Sequence, residues 1–166
     1  MPIRTLLALL LALSGTTAAA VTPYVGGGVA GSRMEAQGPI NSGTASDQTL
    51  GVRGESWRQE VGFMNLASTS LDGRQYRMDG YRYLAGYDLM MGTHWGLTVQ
   101  AGAWFHRSES AEGETTRSTT SAVAGAGLTF RPRRGFEIRV TANHYPGPAV
   151  GDTLETAGLQ FLFNLP

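Results

Sequence analysis

The chain contains 166 residues, with 13 basic and 13 acidic side chains, a formal net charge of zero and no cysteine. A chain of this length accommodates one domain. The balanced charge argues against a nucleic-acid partner, and the lack of cysteine excludes both a disulfide framework and the thiol of a lipoprotein anchor.

The first 20 residues have the organisation of a secretory signal peptide. Arg4 is followed by an uninterrupted apolar run from Leu6 to Leu13 and by small residues that end at Ala20. This run is too short to cross a bilayer as a helix, which needs about 20 residues. We therefore predict that residues 1–20 are cleaved and that residues 21–166 form the mature domain.

Alternation of apolar and polar residues with period two predicts β-strands throughout that domain. The first strand is predicted from Thr22 to Ser32, followed by a long loop from Glu35 to Ser46 and a weak second strand that ends near Val52. The next elements are predicted in this order: strand three from Trp57 to about Ala67, a loop from Ser70 to Gln75, strand four around Tyr81 to Leu89, strand five from Trp95 to His106, a loop from Arg107 to Thr116, and strand six from about Thr119 to Phe130.

The last hairpin, from Phe136 to Leu165, shows the alternation most clearly. Its apolar phase includes Ile138, Val140 and Phe161, whereas Glu137 and Arg139 lie on the opposite phase. A long final strand with an apolar face would be an aggregation-prone open edge, so we predict that it pairs with the first strand and closes a barrel of eight strands.

The predicted connections alternate between short turns and longer loops, which is typical of outer-membrane barrels. Alternation does not decide which face meets lipid, because a soluble lipocalin-like barrel shows the same period with the faces exchanged. Two features favour an outward apolar face: the polar face mixes opposite charges with glycines, as a crowded lumen does, and aromatic residues cluster near the predicted strand ends. The sequence thus predicts an all-β, eight-stranded, antiparallel up-and-down transmembrane β-barrel, and the alternative is a soluble periplasmic lipocalin-like carrier.

The interior of an eight-stranded barrel is just wide enough to be filled by its own side chains. Charged groups in such a lumen must pair, because an unpaired buried charge is very costly. We therefore expect a plug of ion pairs and no diffusion pore. The predicted lumen ion-pair residues are Arg58, Glu60, Arg82, Glu137 and Arg139.

Several segments resemble the OmpA-like and opacity-type outer-membrane β-barrel (porin-like) family. The run Ser56-Trp-Arg-Gln-Glu-Val-Gly-Phe is similar to the third strand of those proteins, and Gly80-Tyr-Arg-Tyr-Leu-Ala-Gly-Tyr to the fourth. The resemblance implies location in the cell outer membrane, insertion by the barrel assembly machinery, contact with outer-membrane lipid and lipopolysaccharide, and a structural or surface role without catalysis. We expect a monomer.

Two departures from the family pattern concern the end of the chain. The family usually ends on an aromatic residue, whereas here Phe163 is followed by Asn164, Leu165 and Pro166. No peptidoglycan-binding domain follows the predicted barrel, so we do not expect that function of the larger family members.

The last hairpin also resembles the end of the lipid A deacylases, which are outer-membrane esterases with a Ser, His and Glu set. The resemblance makes His144 and Glu155 the alternative catalytic candidates, since a His oriented by a carboxylate is a suitable base for acyl transfer. That family carries Ser two residues after the His, where this chain has Pro146. Thr153 is the nearby hydroxyl in the same phase.

No cofactor or metal site is predicted. The three histidines lack ligand spacing, and the glycine run Gly26 to Gly28 is not followed by a helix, as a phosphate loop would be. The basic turn at Arg131, Arg133 and Arg134 is interpreted as a solvated surface.

Overall fold

A computed structural model describes residues 21–35, 40–71, 74–110, 116–147 and 153–166. The predicted signal peptide, residues 1–20, lies outside these described residues. No helix among them is long and apolar enough to span a bilayer.

Eight antiparallel strands form one closed sheet. Each strand pairs with the next, and β8 returns to pair with β1, for example Gly27 with Phe161. The prediction that the last strand closes the barrel is therefore confirmed. The strands are β1 (Thr22–Glu35), β2 (Ile40–Arg53), β3 (Trp57–Leu71), β4 (Arg74–Met90), β5 (Trp95–Ser110), β6 (Thr116–Arg133), β7 (Phe136–Pro146) and β8 (Thr153–Asn164).

The loop end of the barrel differs from the turn end mainly because several strands extend further there, and less because its loops are longer. The turn end carries the β2–β3, β4–β5 and β6–β7 connections, and the loop end carries the other connections. The predicted loop from Glu35 to Ser46 is wrong over most of its length, because β2 begins at Ile40. The predicted loop from Ser70 to Gln75 likewise shrinks to the two residues between β3 and β4. Serine, glycine and asparagine have low strand propensity, but backbone pairing with a neighbouring strand keeps these segments extended.

The apolar phase of most strands points away from the barrel axis, and the opposite phase, with most of the buried charged side chains, points inward. Side chains such as Val99 and Phe161 are exposed on the outer face, whereas Arg58 and Glu137 are buried. Exposed apolar residues around a barrel are stable only in lipid. The structure therefore confirms the transmembrane fold and contradicts the soluble lipocalin-like alternative. The exposed outer residues include Val25, Val29, Tyr81, Tyr87, Leu89, Trp95, Leu97, Val99, Phe105, Leu128, Val140, Phe161 and Phe163.

Aromatic residues form a belt around the outside of the turn end. Trp95 lies 4.4 Å from Phe130 and Phe136 lies 5.1 Å from Phe163, both measured between ring centroids. This position fits the interfacial girdle of a membrane barrel.

The loop-end half of the lumen is an apolar core, which the sequence interpretation did not anticipate. Trp104 is fully buried there, stacked on His106 at 3.9 Å and edge-to-face with Tyr145 at 5.4 Å between ring centroids. Trp104 and Tyr145 lie near the loop-end rim in height, but both point inward and so contribute nothing to an outer girdle. The rest of this core consists mainly of Met34, Met64, Leu66, Met78, Leu84, Val123 and Leu154.

Candidate functional site

The turn-end half of the lumen contains a closed ring of alternating charges. Three arginines and three carboxylates take part, and every member is paired on both sides. The order around the ring is Arg58, Glu60, Arg139, Glu137, Arg131, Asp88 and back to Arg58.

Arg58 joins two carboxylates on one side of the ring. Its Nε lies 3.1 Å from Glu60 Oε1, and its Nη1 contacts Asp88 Oδ1. The same guanidinium donates to Thr98 Oγ1 at 2.5 Å and to Gln100 Oε1 at 2.7 Å. Hydrogen bonds thus engage Nη1 and Nη2, and Nε is ion-paired with Glu60, in a side chain that is only 1% exposed.

Glu137 closes the opposite side of the ring. Its Oε1 accepts from Arg139 Nη2 at 2.9 Å, and its Oε2 accepts from Arg131 Nε at 2.8 Å. Arg53 also contacts Oε2 and additionally donates to Asn164, which ties the ring to the last residue of β8. Arg131 completes the circuit through its Nη2, 2.8 Å from Asp88 Oδ2.

Arg82 lies outside the ring and belongs to a smaller cluster nearer the loop end. Its Nη2 lies 3.0 Å from Asp47 Oδ2 and 3.4 Å from Thr49 Oγ1. Gln160 donates to the same carboxylate at 3.0 and 3.1 Å. Of the five predicted lumen residues, Arg58, Glu60, Glu137 and Arg139 are thus brought together, whereas Arg82 pairs separately.

Sequence reasoning missed Asp47, Arg53, Asp88 and Arg131 as members of the two clusters. Asp88 lies on the inward phase of β4 and is buried. Asp47 and Arg53 lie on the inward phase of β2, and Arg131 continues the inward phase of Thr129 on β6. Extending the alternation through the predicted loop and turns would have included them.

The charges of the ring are balanced, and little empty space remains beside the neighbouring Arg82 cluster. The ring's carboxylates and guanidiniums neutralise one another, and the void beside Arg82 and Gln160 measures only about 10 Å³, the scale of a single water. Among the described residues, no group of three or more His, Cys, Asp or Glu side chains could hold a metal ion.

His144 and Glu155 lie directly opposite each other on β7 and β8, on the outer face near the loop-end rim. His144 Nδ1 is 3.8 Å from Glu155 Oε1, and both side chains are at least half exposed. On its other side Glu155 is opposite Arg33 of β1, which in turn is opposite Ser42 of β2.

No hydroxyl stands directly opposite His144 in the described part of the sheet. Its neighbour on β6 is Ala124, and Pro146 is paired with Thr153 one step along the same phase. Ser42 is three strands away, or roughly 14 Å at the usual strand spacing. The arrangement holds a base and its carboxylate without an adjacent nucleophile.

An eight-stranded closed barrel with an apolar exterior and an ion-paired interior defines the class of transmembrane β-barrel proteins. The sequence matches the family "Outer membrane protein beta-barrel domain" over residues 5–164. The chain therefore belongs to this family. No curated protein matches it significantly in sequence.

Solved structures with a similar fold are outer-membrane barrels of low sequence identity. Neisserial surface protein A (NspA) is 13% identical, with a TM-score of 0.76 over 88% of this chain and 99% of that one. The N-terminal barrel of Pseudomonas aeruginosa OprF is 17% identical, with a TM-score of 0.62 over 86% and 97% of the two chains. Ail, the attachment invasion locus protein of Yersinia pestis, is 19% identical, with a TM-score of 0.58 over 86% and 97%.

Proposed function

We propose that this protein is an integral outer-membrane protein with a structural and surface role in the envelope, and that its lumen conducts no solutes and carries out no catalysis. The observation that carries the proposal is the complementary filling of the lumen. The charge ring occupies the turn-end half, and the apolar core around Trp104 occupies the loop-end half.

A conducting path would have to pass both of these layers. A hydrated ion moving through the turn-end half would displace the Arg58 and Arg139 contacts, and one in the loop-end half would have to enter an apolar layer. The first step is strongly unfavourable because it leaves buried arginines without their partners, and the second because it places the ion in a layer that offers no partner. We therefore expect the barrel to stay closed on the timescale of a conductance recording.

Planar-bilayer recording tests the closed lumen. The refolded protein is expected to give no steady single-channel current under conditions in which a water-filled porin conducts. The matched variant Arg58→Ala with Asp88→Ala removes one ring segment without leaving a lone charge, and it is expected to produce intermittent openings. Steady conductance from the unmodified protein would refute the proposal.

The surface role is supported by the uneven loop-end rim. β4, β5 and β6 contain 17, 16 and 18 residues, whereas β7 and β8 contain 11 and 12. A membrane crossing needs only about 9–11 strand residues. The longer strands therefore form a ridge above the bilayer, where Arg107 pairs with Asp79 at 2.7 Å in an exposed position.

Cysteine labelling tests both the outer-membrane location and the external position of this ridge. The chain has no native cysteine, so a single introduced thiol is unambiguous. Glu109→Cys on the ridge is expected to react with a membrane-impermeant maleimide in intact cells. Arg134→Cys at the turn end is expected to react only after the membrane is opened, and labelling of both variants in intact cells would contradict the proposed orientation.

A second candidate function, esterase activity on lipid A, is favoured by the position of His144 opposite Glu155. Pro146 at the site of the family's serine argues against it, because proline has no hydroxyl to attack an ester. Incubation of the purified protein with lipopolysaccharide, with release of fatty acid as the readout, separates the two proposals. Release that is lost in His144→Ala would replace the structural proposal by the enzymatic one.

A further inference from the structure

The outer face of β2 is polar where the other strands present apolar side chains. Ser42, Thr44, Ser46 and Gln48 alternate along this face, and all four are exposed. The inward phase of the same strand is occupied by Asp47 and its neighbours, so the exposure is not the result of a register slip. We call these four residues the β2 polar stripe.

Gln48 is the member of the stripe that lies deepest in the membrane. It stands five residues from Arg53, the turn-end residue of β2. At about 3.3 Å per residue and a strand tilt of about 40°, this is about 13 Å above the turn end, close to the middle of an apolar band about 25 Å tall. Its neighbours in register are Phe63 and Gly27, and the exposed Val25 and Val29 flank it on β1. Ser46 and Asn65 are the polar residues one pair further toward the loop end.

The side-chain amide of Gln48 makes no hydrogen bond to any residue that the structure describes. An amide carries two donors and an acceptor, and at this depth the bilayer offers only acyl chains. The polar groups of a lipid lie at the interface and cannot reach it. An amide held in hydrocarbon is costly unless a protein group pairs with it.

We propose that the β2 polar stripe is the contact surface of a homodimer in the membrane, with Gln48 of one copy paired to Gln48 of the second. Two copies inserted in the same direction are related by a two-fold axis along the membrane normal, which brings equal depths together. An amide is self-complementary, so two Gln48 side chains placed at this axis exchange two reciprocal hydrogen bonds. The stripe has no charged side chain that could bind the phosphate of a lipid headgroup. A second copy of the chain is therefore the better partner for this surface.

The surface beside the stripe allows the close approach that such pairing needs. Gly27 and Gly31 replace bulky side chains on β1, and a Cβ added at Gly31 would meet nothing nearer than a backbone oxygen at 4.0 Å. Ser46, Gly31 and Ala157 take part in lining a shallow outer groove of about 770 Å³. Small residues at membrane interfaces let two backbones come together, and polar side chains then link them. This inference rests on the transmembrane fold and not on the proposed envelope role, and it differs from the monomer expected from the sequence.

Disulfide cross-linking in vesicles tests the pairing directly. Gln48→Cys is expected to form a covalent dimer on mild oxidation. Ala124→Cys is the matched control, because it is an exposed residue on the outer face of β6, on the far side of the barrel and at similar depth. The folding of both variants is first checked by the change in their gel mobility on heating. A variant that fails to fold is thereby distinguished from one that folds but does not associate.

A second measurement avoids the introduced thiol. Sedimentation equilibrium in density-matched detergent is expected to show dimers for the unmodified chain, and Gln48→Leu is expected to weaken association about tenfold, the combined effect of the two reciprocal hydrogen bonds between the copies. A monomer at every protein-to-detergent ratio would overturn the proposal. So would equal cross-linking of the two cysteine variants, or unchanged association in Gln48→Leu.

Discussion

Replacing Glu60 by Gln removes one negative charge from the ring and changes little else. Glu60 is 1% exposed, and its Oε1 accepts from Tyr24 Oη at 2.5 Å and from Arg139 Nη1. The same oxygen lies 3.1 Å from Arg58 Nε as an ion pair. Its other oxygen has no hydrogen-bond partner among the described residues. The Gln side chain can therefore keep its acceptor oxygen in place and direct its amino group to the unpartnered position.

The loss of charge leaves three ring arginines facing two carboxylates. Removing one partner of a buried ion pair costs about 3–5 kcal/mol. Because the Gln oxygen still accepts from Tyr24 and Arg139, we expect Glu60→Gln to lie at the low end, with a loss of about 3 kcal/mol in the free energy of unfolding. This corresponds to a change of roughly 100-fold in the folding equilibrium.

Urea-induced unfolding in phospholipid vesicles, followed by tryptophan fluorescence, measures this loss. Asp79→Asn is the control, since it breaks the pair with the solvent-exposed Arg107 and should leave the free energy of unfolding near that of the unmodified chain. The double variant Glu60→Gln with Arg139→Gln should recover part of the loss, because the unpaired guanidinium is gone. A loss in Glu60→Gln no larger than in Asp79→Asn would refute the view that the ring stabilises the barrel.

Three further substitutions test the polarity and the packing of the barrel. Gly86→Val is expected to displace Arg58 and destabilise the fold, because an added Cβ would lie 2.9 Å from that guanidinium. Its control, Ala85→Val on the exposed outer face, should be tolerated, and the urea midpoints of the two variants are compared. Val99→Arg, on the outer face within the apolar band, is expected to cost about 2–4 kcal/mol in the same assay, and a neutral result would place that face outside the lipid. Trp104→Ala is expected to cost about 3–5 kcal/mol by opening a cavity in the loop-end core, and a stability equal to that of the unmodified chain would show that the core is not packed as described.

Strand alternation was sufficient to predict the number of strands, the barrel closure and the inward phase of β7. Glu137 and Arg139 are inward because they alternate with Ile138 and Val140, and this period is a local property of the backbone. The extent of β2 was not predictable in the same way. Its Asn, Ser and Gly residues favour a loop locally, and only pairing with the full length of β1 makes the segment a strand.

The amino-acid sequence by itself determined that this protein is a closed eight-stranded barrel with one apolar and one charged phase. Period-two patterning is a property of neighbouring residues, and the apolar face of the last strand required a partner strand to cover its edge. The tertiary structure decided which charges meet. Asp88 and Arg131 are 43 positions apart in the chain but 2.8 Å apart in the lumen, since the tilt and stagger of the strands bring their ends together. The same geometry packed Trp104 of β5 edge-to-face against Tyr145 of β7, a contact between distant strands that no local pattern carries.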